Sequence, residues 1–194
     1  MPWERQFDVD EMLGKAMSAF WRRGYEATSV QDLVDETGVG RGSLYATYPD
    51  KHALFLAALR MYDDRNRRVR LVELERTLRP RQAIEALFQS FTAKIKSGSA
   101  AADGCFLTNT ALEMAPRDPE AAEIVGRAQA EIEAFFRRTV RRGIRDGAFR
   151  PDLDPDAAAS GLLASLIGVT VLIRSRPEPK LLARVVREAV DRLG

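Results

Sequence analysis

The sequence predicts an all-α protein, with a three-helix N-terminal head (residues 1–54) and a C-terminal helical bundle (residues 55–194). Three observations predict it. Helical apolar spacing dominates, and no stretch keeps the strict alternation of a half-buried strand. Glycines and prolines fall between the periodic stretches, where helices stop or start. The composition, 45% hydrophobic and 30% charged over 194 residues, is that of a globular chain able to bury a substantial core.

The first helix runs from Asp8 to Arg23, with Val9, Leu13, Ala16, Met17 and Phe20 on one face and Gly24 as its stop. A short helix follows from Ser29 to Thr37, capped by Thr28 or by Ser29 with Asp32 reaching back. Gly38 breaks the chain before a second short helix, Arg41 to about Thr47. Pro49-Asp50 punctuates again, and one long helix starts near Lys51, passes through Arg65–Arg70 and ends before Arg79-Pro80. Gln82 to Lys96 is next and stops in Ser97-Gly98-Ser99. Cys105 to Met114 is short, and Glu120 to Asp146 is long, opened by Pro119 and ended by Gly147. Asp154-Pro155 caps a helix from Asp156 to Ile173, and Pro177 and Pro179 precede the last, Lys180 to Leu193.

Composition narrows function. Thirty basic against twenty-eight acidic residues leave a net charge of +2, so bulk charge gives no reason to expect a polyanionic partner. One cysteine excludes a disulfide framework and a multi-cysteine zinc site. One histidine, His52, excludes a multi-histidine metal centre, and no cofactor is expected. Met1-Pro2-Trp3-Glu4-Arg5 lacks the pattern of a signal peptide. The longest uncharged stretch, Ala157 to Ile173, is seventeen residues and rich in small residues, which predicts a helix packed on other helices rather than a membrane span. A soluble, cytoplasmic protein is expected.

The segment Ser29 to Lys51 carries the most information. Val30, Leu33 and Val34 form an inner face, Gly38 supplies the turn, and Val39 and Leu44 plug the junction, as a helix-turn-helix requires. Arg41, Gly42, Ser43, Ala46 and Thr47 are left facing outward. Small residues let a helix enter the major groove, and Arg41 can reach a guanine edge or a phosphate.

Gly24-Tyr25-Glu26-Ala27-Thr28-Ser29-Val30, Gly38 to Tyr45 and Tyr48-Pro49-Asp50-Lys51 together resemble the DNA-binding head of the TetR family of transcriptional regulators. The likeness covers about Val9 to Leu59, while the remainder agrees in layout alone. It implies a homodimer on a palindromic DNA operator, usually a repressor, released when a small molecule fills the body. Residue by residue, it implies groove contacts from Arg41, Gly42, Ser43, Ala46 and Thr47, and aromatic contacts near the sugar-phosphate from Tyr45 and Tyr48. It also implies a phosphate contact from Lys51 and a backbone-contacting pair, Thr28 and Ser29. Residues 1–60 hold seven Lys/Arg against nine Asp/Glu, so phosphate binding must come from the placement of a few groups, with a modest salt slope per head.

In the body, Phe88, Phe91, Phe106, Leu107 and Met114 are candidate walls of an apolar cavity, or simply core. Cys105, Asn109 and Glu113 share one helical stripe. Gly104 to Glu113 resembles a stretch in the branch of the family that includes the electrophile-responsive repressor of N-ethylmaleimide reductase. This makes Cys105 a candidate sensor of a small apolar or electrophilic effector, though Arg174 stands where that branch has a lysine. Asn109 and Glu113 either hold a polar ligand group or satisfy nearby backbone. The last two helices, with Leu162, Leu163, Leu166, Ile167 and Val171 beside Gly161, Ser165 and Gly168, are expected to form the dimer interface. Two rivals remain at this level. One is an enzyme pairing Glu113 with Asp118 or Glu120, and the other a helical adaptor or ligand-binding protein that does not bind an operator.

Overall fold

A computed structural model describes residues 7–96 and 103–194, and every regular element among them is helical. Helix α1 (Val9–Arg23) starts at Asp8, whose Oδ1 accepts from the backbone N–H of Asp10 at 2.8 Å. It ends at Gly24, whose φ of 89° and ψ of 171° lie in a region open essentially to glycine. Helix α2 (Val30–Thr37) is capped by Ser29 and not by Thr28. The Ser29 Oγ accepts from the Asp32 N–H at 3.1 Å, and the Asp32 carboxylate accepts from the Ser29 N–H at 2.8 Å. Gly38 is left-handed at φ 71°, and α3 (Arg41–Thr47) follows as expected.

Asp50 caps α4 (Lys51–Tyr62). The long helix expected from Lys51 runs on to Thr77, but a π-helical turn spans Asp63–Arg68 within it, before α5 (Val69–Thr77). The wider turn sets Arg67 and Arg68 together on Glu131, which the even spacing of apolar residues could not disclose. Helix α6 (Pro80–Lys96) begins two residues earlier than expected, and its predicted stop at Ser97-Gly98-Ser99 lies outside the described residues. Then come α7 (Phe106–Glu113), with Cys105 as its N-cap, α8 (Pro119–Arg145), α9 (Pro155–Ser175) and α10 (Pro179–Asp191).

The buried residues form two clusters. One joins α1 to α4 with α7 and the first half of α8; the other joins α5, α6, the second half of α8, α9 and α10. The head therefore shares its core with part of the body. Aromatic edges carry the junction: Phe55 meets Phe20, Tyr25 and Phe106, with ring centroids 5.2, 5.0 and 5.6 Å away.

In the second cluster the Phe149 ring lies on Gly143 of α8, where an added Cβ would sit 2.1 Å from the Phe149 Cδ2. Gly143→Ala is expected to lower stability by about 1–3 kcal/mol through overpacking, despite the better helix propensity of alanine. Urea unfolding checks this; an unchanged or higher midpoint would refute it.

Helix α9 is long and apolar enough to cross a membrane, with a mean hydropathy of 1.8, yet it packs on α6, α8 and α10. Only 33% of that apolar window is buried within one chain. Leu162 and Leu166, expected at a dimer interface, instead lie in the chain's own core at 2% and 3% exposure. The outer stripe is Ala157, Gly161, Ala164, Gly168 and Val171, spaced in alternating fours and threes, as in closely packed helix pairs.

Candidate nucleic-acid interface and the cavity behind it

Leu44 is 3% exposed and pins α3 to the head core with Leu33 and Val39. That anchoring turns Arg41, Gly42 and Ala46 to solvent and leaves Ser43, Tyr45 and Thr47 half-buried beside them. The Thr47 hydroxyl donates to the Ser43 carbonyl at 3.0 Å. The Arg41 guanidinium lies 5.6 Å from the Tyr45 ring centroid, and Lys51 Nζ lies 4.3 Å from that of Tyr25. Both cations are thus held near aromatic faces by weak cation–π attraction. Tyr48 is half-buried at the C-cap of α3, and Lys51 opens α4, where the helix dipole favours an anion.

Thr28 is a correction. It is fully buried and its hydroxyl donates to the Gly24 carbonyl at 2.6 Å, so it has no surface for a phosphate and serves the α1–α2 turn. Ser29 is exposed, with its hydroxyl engaged in the cap. The hydrogen bonds from Ser29, then the Arg23 guanidinium, hold the Asp32 carboxyl down at about 2.

The acidic balance of the head resolves once ion pairs are traced. Lys15 pairs with Glu11, Arg22 with Glu36 at 2.5 Å, and Arg23 with Asp32. Several carboxylates therefore brace α1 against itself or α2, while Arg41 and Lys51 make no ion pair among the described residues.

Polar contacts fasten the same head to the body, among them the Arg65–Asp10 pair at 2.6 Å and three that reach α7, α8 and the segment before α7. Glu113 of α7 accepts from the Glu26 N–H at 2.9 Å, and its carboxylate lies against Gly24, where an added Cβ would come within 2.7 Å of it. His52 of α4 meets the Asp118 Oδ2 at 2.6 Å. Desolvation pulls the Asp118 carboxyl up, but the N–H of Ala121, the His52 ring and the N–H of Glu120 outweigh it and leave it below its ordinary value. Trp21 of α1 donates its indole N–H to the Asp103 carbonyl at 3.1 Å. Glu113 and Asp118 are thus occupied in joining and capping helices, not paired for acid–base chemistry.

Behind α1 and α4 lies a cavity of about 210 Å³ that reaches from Trp21 and Tyr62 to Ile132 and Leu166. Of the candidate walls, Phe91 and Leu107 line it, and so does Cys105. Phe88 and Phe106 do not; both are core residues, Phe88 stacked on Phe136 at 6.2 Å and Phe106 edge-on to Phe55 and Tyr62. Met114 is likewise core. Asn109 donates to the Asp103 carbonyl at 2.9 Å, so it and Glu113 satisfy backbone and leave the wall to other residues. Helical periodicity cannot separate a wall from a core, because both are apolar and inward. The Tyr62 hydroxyl donates to the Cys105 Sγ at 3.6 Å, and burial, then the thiol, pushes the Tyr62 phenol well above its usual value. Arg174 stands near Gly104, its Cβ 3.6 Å from where a Gly104 Cβ would be. A second hollow of about 260 Å³, between α6 and α10, is lined by no head residue.

Most of the lining went unrecognised in the sequence, Trp21, Arg67 and Arg70 among it. The available signals were a large aromatic beside the apolar face of α1 and a run of arginines inside a helix. Arg67 is 7% exposed; its Nη2 donates to Asp63 at 2.9 Å and to Glu131 at 2.9 Å, its Nε donates to Asp63, and its Nη1 is buried without a partner. A buried donor left unpaired costs about 1–3 kcal/mol.

Arg68 is the main cause, ahead of the opposing desolvation and then Arg67, of a Glu131 carboxyl lowered to about 2. Its folded value is depressed, so the stabilisation is complete above the ordinary value of 4.5 and is lost as pH falls towards about 2. Glu131→Gln is expected to flatten the fall in melting temperature between roughly pH 5 and pH 3. Parallel slopes for the two proteins would refute it.

An exposed recognition helix on a braced head, joined to a helical body with an internal cavity, defines a helix-turn-helix DNA-binding protein with a sensor body. Residues 13–58 match the family model described as bacterial regulatory proteins, tetR family, and residues 80–189 match that of the tetracyclin repressor-like C-terminal domain. The chain is 32% identical to the uncharacterized HTH-type transcriptional regulator YezE of Bacillus subtilis, covering 88% of each. It is 30% identical to the HTH-type transcriptional repressor ComR of Escherichia coli, covering 87% of this chain and 80% of ComR. A cysteine variant of the TetR family regulator CifR, solved with a 26-base-pair operator, superposes at a TM-score of 0.83 with 30% identity, over 96% of this chain and 97% of that one. The chain belongs to the TetR family of transcriptional regulators: it is a DNA-binding regulator rather than an enzyme.

Proposed function

We propose that the protein is a cytoplasmic homodimeric repressor that holds a palindromic operator and lets go when a small, largely apolar effector fills the cavity at Phe91 and Cys105. The observation that carries it is α3: buried Leu44 on one side, with Arg41, Gly42 and Ala46 open to solvent on the other. Ser43, Tyr45, Thr47, Tyr48, Ser29 and Lys51 complete the contact face, and residues 1–54 act as the reading head of the 55–194 body. Two copies join through α9 and α10, whose small-residue stripe admits a close second helix, and the recognition helices then sit about 34–36 Å apart. Repression by ComR and operator binding by CifR support this assignment.

Effector action runs through shared core. Trp21 belongs to head and cavity wall alike, so an occupant that displaces it moves α1 and, through Phe55, α4. Cys105 offers a second route, because an electrophile in the cavity meets its Sγ. The thiolate adds across the double bond of a maleimide, whose α-carbon takes a proton.

Binding to the DNA upstream of its own gene, at nanomolar protein and moderate salt, is expected to exceed binding to an unrelated duplex by about a thousandfold or more. Equal binding would overturn the assignment, as would a monomer by light scattering at micromolar concentration. Unchanged release by N-ethylmaleimide in Cys105→Ser would remove the electrophile route alone.

A further inference from the structure

The cavity wall has an uneven charge. Among the described residues it contains two guanidinium groups, Arg67 and Arg70, with the hydroxyl residues Tyr62 and Ser90, and no carboxylate. The nearby acids, Asp63, Asp64 and Glu131, all bind Arg67 or Arg68 and none lines the space. They leave two donors unanswered. Arg67 keeps a buried Nη1 without an acceptor, and Arg70 makes no hydrogen bond or ion pair among the described residues. The rest of the wall is apolar, with Leu87, Phe91, Ile132 and Leu166 facing Trp21. A separate hollow of about 30 Å³ shares Phe91, Ile132 and Leu166 with this wall, and among the described residues no charged side chain lines it.

We propose that the effector is a small organic anion, a carboxylate on an apolar body, with its head between Arg67 and Arg70 and its body towards Ile132 and Leu166. The inference rests on this cavity being the effector chamber. A guanidinium pairs with a carboxylate through parallel N–H donors, and the partly dry wall strengthens that pairing over a neutral acceptor. The π-helical turn makes the site responsive. Arg67 sits in it and holds Asp63 and Glu131, so a bound carboxylate competes for the guanidinium that ties the α4–α5 junction to α8.

The test uses calorimetry on the full chain with straight-chain acids from butanoate to decanoate, each beside its primary amide. At least one acid is expected to bind on the order of tenfold tighter than its amide. Arg70→Gln is expected to erase that difference by weakening the acid alone, and Arg70→Lys to restore part of it. The same acid is expected to release wild-type protein from the operator, while Arg70→Gln binds the operator normally and resists release. Equal affinity for acid and amide would overturn the inference and leave the chamber standing. No binding by any acid or amide, in protein that still binds its operator, would remove both the anion and the chamber.

Discussion

Phe55→Ala is expected to lower stability by about 3–5 kcal/mol, the largest single loss on the head side of the molecule. Phe55 is 1% exposed and touches three aromatic rings at once: Phe20 of α1, Tyr25 of the following turn and Phe106 of α7. Removing it empties the point where head and body share a core, so the cavity term adds to the transfer term. At this chain length the melting temperature should fall by roughly 6–20 °C. Phe55→Leu separates stability from coupling: it keeps most of the volume but loses the edge contacts, each worth about 0.5–1.5 kcal/mol. That variant should bind operator with near-normal affinity and respond weakly to any ligand that releases the wild type. A melting point within a couple of degrees of wild type for the alanine variant would refute the stability loss, and undiminished release in the leucine variant would show that the junction does not transmit.

Arg41→Ala is expected to weaken operator binding by about 1–3 kcal/mol per head, roughly 5-fold to 150-fold, and to relax preference at one position of each half-site. Arg41 is exposed on α3, has no carboxylate partner among the described residues and is steadied only by Tyr45. Lys51→Ala should act differently. Its ammonium stands at the start of α4 over Tyr25, a place suited to a phosphate, so binding should weaken evenly across sequences and the salt slope fall by about one per head. Neither substitution should move stability by more than about 0.5 kcal/mol. Fluorescence anisotropy across a salt series and a set of operator variants checks both. Loss of binding at Arg41→Ala with unchanged base preference would move that arginine to the phosphates. An unchanged slope at Lys51→Ala would remove that lysine from the interface.

The head was largely legible in its residues. Ser29 with Asp32, Gly38 at the turn and Leu44 as the plug each act within a few positions, so a linear pattern contains the whole interaction. The body was legible in its helices but not in its wall. Phe88 and Phe91 lie three apart on α6 and look alike in sequence, yet one stacks on Phe136 and the other faces the cavity. Thr28, expected at the DNA, is buried because Gly24 curls the chain back over it.

Most helix ends, the Gly38 turn and the exposure of Arg41, Gly42 and Ala46 on the recognition helix followed from the amino-acid order alone, because capping, glycine conformation and amphipathic spacing are short-range. Tertiary structure alone decided that Glu113 would clasp Glu26, that Trp21 would wall a chamber in the body, and that Arg67 would keep a buried donor beside it. Those outcomes depend on which distant groups meet once the helices pack. A hydrogen bond from a backbone N–H to a carboxylate 87 residues away leaves no periodic trace for a sequence to display.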